Sequence, residues 1–161
     1  PCIMINAQST KFVQLTPPQS VSSGAVTVAE LDTFGYDYCT LLVSVGASAG
    51  HTVCKVTESD TAGSGHADIT ADFNGTSATV GYGETSTLNI DGTSAADISA
   101  DDNKLYTFEL DLTKRKRFLD MTITVAGTCL IGVVAILERK SNGGVNSDSL
   151  SERGLEGAIR A

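Results

Sequence analysis

A chain of 161 residues is long enough to bury one real core without a second domain. Its formal net charge of −8 argues against non-specific nucleic-acid binding by the body of the protein and suits a partner with basic patches. Trp is absent and aromatics make up only 6% of residues, so Thr, Ser, Val, Ala and Gly set the character, which fits short strands and tight turns better than helices.

No N-terminal segment has the basic start and apolar core of a signal peptide, and the longest apolar run, Cys129 to Leu137, is too short to cross a bilayer as a helix. Synthesis in a host cytoplasm, with no membrane partner, is the expectation. Pro1 is what removal of an initiator Met would leave. Cys2, Cys39, Cys54 and Cys129 show no C-x-x-C spacing, and two histidines are too few for a zinc site to be expected. Small buried thiols are the expected role of Cys39, Cys54 and Cys129. A Cys39–Cys54 disulfide is disfavoured by cytoplasmic synthesis.

In chain order, residues 1–9 read as an N-terminal arm or first edge strand. Lys11 to Thr16 is a short strand closed by Pro17-Pro18, which cannot continue a ladder. Gln19 to Gly24 is a polar loop, Ala25 to Leu31 a strand, and Asp32 to Asp37 a turn-rich corner before a core strand from Tyr38 to Val45. Gly46 to Gly50 has the composition of a hairpin turn, with His51 to Ser59 as its return strand. A small-residue loop, Asp60 to Gly65, leads to weaker strands at His66 to Phe73 and Ala78 to Tyr82 around the hairpin dipeptide Asn74-Gly75. Gly83 to Asn103 is a long polar loop with one short strand near Thr87 to Ile90.

The organising block is Lys104 to Arg139. Tyr106, Phe108, Leu110 and Leu112 share one parity, and Leu119, Met121, Ile123 and Val125 share another, the mark of strands buried on one face. Cys129 to Leu137 is continuously apolar, so both of its faces are expected to be covered. From Lys140 the pattern stops: Ser141-Asn142-Gly143-Gly144 is a linker signal, and Leu150, Leu155 and Ile159 are the spaced aliphatic anchors of a C-terminal arm. About nine short strands predict an all-β, antiparallel sandwich or jelly-roll-like single domain over residues 10–139, with arms at 1–9 and 140–161.

No constellation of catalytic residues stands out, and an enzyme is not expected. His66 with Asp68 and Ser64 lacks a G-x-S-x-G elbow. Asp91, Asp97, Asp101 and Asp102 do not have EF-hand spacing, and Glu109 with Asp111 reads as a solvent-facing stripe. Neither a metal nor a cofactor is expected. Lys114-Arg115-Lys116-Arg117 is the one dense basic cluster in an acidic chain. It has three readings: a nuclear-localisation or nucleic-acid patch, for which the motif is a weak signal, a solvated hairpin tip, or a docking contact for an acidic neighbour, held in place by Phe118 and Leu119.

Three runs in the block, Tyr106 to Leu112, Lys116 to Leu119 and Thr122 to Thr128, resemble a segment of small tailed-phage virion proteins: a strand ending in Asp-Leu, a basic pair, an aromatic and a β-rich return. Leu31 to Tyr38 and Val56 to Asp60 are similar to the corner and hairpin of the same group. The resemblance runs through roughly Val28 to Leu137, with gaps in the loops. It implies a head decoration, or cement, protein on the capsid surface of the virion. That role stabilises the lattice of the major capsid protein, with Lys114 to Arg117 docking and Leu150, Leu155 and Ile159 as arm contacts. Many equivalent docking sites imply a symmetric oligomer, a homotrimer by preference. The alternative it leaves open is a tail or head-surface module that binds host glycans.

Overall fold

The computed structural model describes residues 10–48, 51–73, 76–82, 87–88 and 103–140. The arms expected at 1–9 and 141–161, with Leu150, Leu155 and Ile159, lie outside the described residues, as do Asp91, Asp97, Asp101 and Asp102. The architecture is all-β, with two antiparallel sheets packed as a sandwich. Twelve strands are described: β1 (Lys11–Val21), β2 (Gly24–Val26), β3 (Leu31–Asp32), β4 (Tyr36–Ser48), β5 (His51–Ser59), β6 (Ala67–Asp68), β7 (Thr70–Phe73), β8 (Thr76–Tyr82), β9 (Thr87–Leu88), β10 (Lys104–Asp111), β11 (Phe118–Val125) and β12 (Cys129–Lys140).

The four-stranded sheet has the order β1-β12-β4-β10. The second sheet runs β2-β11-β5-β8-β7, with β3 also on β11, β6 on β5, and β9 parallel to β8. Alternation is what lets them stack. Cys39, Leu41, Val43 and Val45 of β4, with Ile131, Val133, Ala135 and Leu137 of β12, face Val56 of β5 and Leu119, Met121, Ile123 and Val125 of β11 in one continuous core. The packing is tight: the gap lined by Leu15, Leu31, Leu41, Leu119 and Met121 has no room for a water molecule.

Four sequence expectations change. β1 does not stop at the prolines but runs on to Val21. It is an edge strand, and register shifts between Gln14 and Thr16 and between Thr16 and Gln19 place Pro17 and Pro18 where no ladder hydrogen bond is needed. The expected strand from Ala25 to Leu31 is broken into β2 and β3, both pairing with β11. Successive long strands expected to pair as hairpins do not. β4 and β10 belong to the first sheet and β5 and β11 to the second, so the chain crosses between layers after β4, after β10 and again after β11. Finally, β12 is fully buried on its inner face only. On its outer face Leu130 is 47% exposed and Val134 and Ile136 are half-buried.

Candidate functional site

The basic cluster lies on the crossing from β10 to β11, not at a hairpin tip. A 3-10 turn, Leu112–Lys114, starts it. Asp111 caps that turn, its carboxylate accepting from the Thr113 amide at 3.0 Å and the Thr113 hydroxyl at 2.6 Å. These hydrogen bonds, side chain first, hold the Asp111 carboxyl below its ordinary pKa. Leu112 is buried, and the Arg115 amide closes the turn on the Leu112 carbonyl at 3.1 Å.

Sheet register decides what the cluster meets. At its start β11 lies between two strands, with Phe118 opposite Asp32 of β3 on one side and opposite Ser59 of β5 on the other. The basic residues therefore emerge between two acidic strand ends. Arg117 Nε and Nη2 donate to Asp32 Oδ1 and Oδ2 at 2.8 and 2.7 Å, a two-pronged ion pair. Its guanidinium also lies over the rings of Phe34 and Phe118, 4.8 and 4.9 Å from their centroids. The Arg117 hydrogen bond is the main reason the Asp32 carboxyl is held below the usual range. On the other side, Glu58 accepts from the Lys116 amide at 3.1 Å and lies 3.6 Å from Arg115 Nη1, while Lys116 Nζ is 3.7 Å from Asp60. The Arg117 carbonyl accepts from both the amide and the hydroxyl of buried Thr33, at 3.0 and 2.7 Å.

Three of the four cluster side chains are thus in ion pairs with Asp32, Glu58 and Asp60. Lys114, exposed, makes none of these contacts. Phe34 stands 74% exposed at the apex of the adjoining turn. Its amide donates to Asp32 Oδ1 at 3.0 Å, and Gly35 after it takes φ +86°, which a residue with a Cβ would resist. Sequence reasoning found the cations but missed Asp32, Glu58, Asp60 and Phe34 as their partners. The only signal was an acidic or aromatic residue at each turn beside a strand end.

The residues weighed for a triad do not assemble as one. His66 Nε2 lies 2.9 Å from Glu30 Oε2, close but poorly aligned for a hydrogen bond, so the contact is an ion pair only when the imidazole is protonated. Asp68 instead pairs with Lys55 at 3.0 Å, and the Ser64 carbonyl accepts from the Ser59 hydroxyl at 2.6 Å. Glu109 accepts from the Tyr38 hydroxyl at 3.1 Å on the outer face of β10. Cys39, Cys54 and Cys129 are buried thiols in no disulfide, and desolvation pushes Cys39 and Cys54 up to about 12, so neither is a thiolate nucleophile near neutral pH. Among the described residues, no group of three or more His, Cys, Asp or Glu side chains is placed to hold a metal ion.

No protein-family model matches the chain, and no curated protein matches it. Among solved structures, the crystal structure of the SPBc2 prophage-derived protein YomS is similar with a TM-score of 0.48 and 14% sequence identity. The match covers 86% of this chain and 99% of that one, a likeness from which neither fold nor role transfers.

Proposed function

We propose that this chain is a structural virion protein of a tailed phage. In this reading it decorates the outer surface of the head and stabilises the major capsid protein lattice. The sequence resemblance over Val28 to Leu137 motivates the class. The observation that carries the docking role is the corner between the sheets. Lys114 and Phe34 are presented to solvent from two adjoining turns whose backbone and neighbouring side chains are tied at Asp32, Thr33, Glu58 and Asp60. A backbone already held in place loses little freedom on binding, which is what a contact repeated over a lattice requires. The acceptor it suits is an acidic surface with a shallow apolar recess. Residues 140–161, with Leu150, Leu155 and Ile159, are proposed to extend that contact to a neighbouring subunit.

The test is copy number and position in purified particles. Hundreds of copies on DNA-filled, tail-less heads, reduced by Lys114→Glu and by Phe34→Ala in a fully folded protein, are expected. A few copies that travel with tails, together with glycan binding lost in Phe34→Ala, would replace this reading with the adhesion module. An exposed aromatic face also serves as a platform for sugar rings, which keeps that alternative concrete.

A further inference from the structure

The loop between β5 and β6 is tied to itself. The Ser59 hydroxyl donates to the Ser64 carbonyl at 2.6 Å and accepts from the Thr61 amide at 3.0 Å, and Thr61 and Ser64 form a β-bridge. A loop so held presents the residue that follows it, His66, at a set place. Opposite stands Glu30, on the passage from β2 to β3. Its Oε2 accepts from the Gly63 amide at 2.8 Å and lies 2.9 Å from His66 Nε2. The His66 and Glu30 side chains are 18% and 24% exposed. Nε2 itself is closed to solvent and has no hydrogen-bond partner among the described residues.

That contact has two states. In the neutral ring, Nε2 either turns a lone pair toward the carboxylate or carries an N–H that misses it, so little offsets the loss of water at the nitrogen. Once the ring takes up a second proton from solvent, cation and carboxylate attract at 2.9 Å without needing that alignment. The other charged groups on the elements around His66 are engaged elsewhere. Asp60 lies beside Lys116 and Asp68 beside Lys55, Glu58 meets Arg115 and the Lys116 amide, and Asp120 accepts from the Met121 amide at 2.7 Å. Glu30 is therefore the carboxylate that answers the imidazole. The contact also links two elements that do not pair with each other. β3, just after Glu30, and β5, just before the loop, flank the start of β11, where Phe118 lies opposite Asp32 on one side and Ser59 on the other.

We infer that His66 is a proton-operated latch: charged, it draws Glu30 onto the 60–66 loop and clamps together the two strands that flank the entry of β11. Neutral, it leaves the Gly63 hydrogen bond to hold the loop there. An imidazole changes charge between about pH 5 and 8, so the latch closes on the acid side of neutrality. The stability it adds is complete while the ring is charged and is lost as pH rises and the proton leaves. The clamped strands end at Asp32 on one side and run into Asp60 on the other, the partners of Arg117 and Lys116. The corner proposed to dock is thus held most firmly in acid. The latch belongs to the free chain and does not rest on the docking proposal.

A double-mutant cycle is the test: urea unfolding of the full natural chain, Glu30→Gln, His66→Gln and the double variant, at about pH 5.5 and about pH 8. Glu30→Gln keeps an oxygen that can accept from the Gly63 amide, so the cycle reads the charge alone. His51, the other imidazole, is present in all four proteins and cancels. The expected result is a coupling between Glu30 and His66 that lowers the unfolding constant at least about twofold at the lower pH and falls toward one at the higher. Exchange of the Gly63 amide, corrected for its intrinsic pH dependence, should slow at the lower pH in the natural chain and not in His66→Gln. A smaller coupling in acid, a coupling unchanged at the higher pH, or Gly63 protection indifferent to His66→Gln would overturn the inference. No capsid enters these measurements, so their failure leaves the docking proposal standing, and failure to decorate heads leaves the latch standing.

Discussion

Replacing Glu58 tests whether the basic cluster is held as the geometry indicates. Its carboxylate accepts the Lys116 amide hydrogen bond and faces Arg115, with the two side chains 15% and 25% exposed. Glu58→Ala removes the acceptor of a backbone N–H on the crossing segment and leaves Arg115 without its counter-charge. A hydrogen bond to a charged group in a partly buried site contributes about 1.5–3 kcal/mol. At roughly 2–4 °C per kcal/mol for a domain of this size, the melting temperature should fall by about 3–12 °C. Glu58→Gln separates the two contributions. Its amide oxygen can still accept from Lys116, and only the Coulombic attraction at 3.6 Å is lost, which at this exposure is worth less than ~1 kcal/mol. Urea unfolding of the three proteins, with m-values compared to confirm that the unfolded state is unchanged, gives the free energies. If Glu58→Ala costs less than about 0.5 kcal/mol, the corner is not held by this contact and the argument for a fixed docking turn loses its basis. If Gln costs as much as Ala, the charge and not the backbone acceptor is what matters.

Two further outcomes are expected. Leu119→Ala, at a position 1% exposed between the sheets, should cost about 2–5 kcal/mol by urea unfolding, and a loss below ~1 kcal/mol would mean that the sheets do not share this core. Asp32 has a folded pKa below its unfolded value of about 3.9, so its contribution is fully present above that value and is lost as pH falls through the folded pKa. The stability gap between the natural protein and Asp32→Asn should accordingly be flat above pH ~5 and close on the acid side, and a gap that widened with acid would contradict the Arg117 pairing.

Most inward-facing residues were readable in advance, and the sheet each strand joins was not. Leu119, Met121, Ile123 and Val125 are buried as their spacing predicts, and so are Phe108, Leu110 and Leu112. Period-2 alternation, however, reports only that one face of a strand meets apolar neighbours. The two sheets of a sandwich share one core, so a strand shows the same alternation whichever sheet it joins. Gly46 to Gly50 has the composition of a hairpin turn, and Lys114 to Arg117 sits between two alternating strands as a hairpin tip would. Pairing is decided instead by partners far along the chain: β4 between β12 and β10, and β11 between β2–β3 and β5. The prolines of β1 misled for a related reason. A ladder position forbids proline only if its N–H is needed, and an edge strand with two register shifts has positions where it is not.

The same crossing explains why the cluster is basic and what remains for a partner. A chain that leaves one sheet for another gives up ladder hydrogen bonds at each end of the passage. Here the Lys116 amide and the Arg117 carbonyl, which no strand pairs, are met by Glu58 and Thr33. A carboxylate brought in to accept a backbone N–H carries a charge, and so does Asp32 beside it. Arg115, Lys116 and Arg117 offset those charges while their stems cover the strand ends. Reversing the charge of Arg115 or Arg117 would therefore disturb the corner itself, and a loss of attachment in such variants would not distinguish misfolding from lost docking. Lys114 points out from a turn already closed by Asp111 and anchored by Leu112, and it takes part in none of these pairs. Among the described residues its charge acts within the fold only on the nearby Asp111, so Lys114 is the position of the four at which a charge change disturbs the corner least.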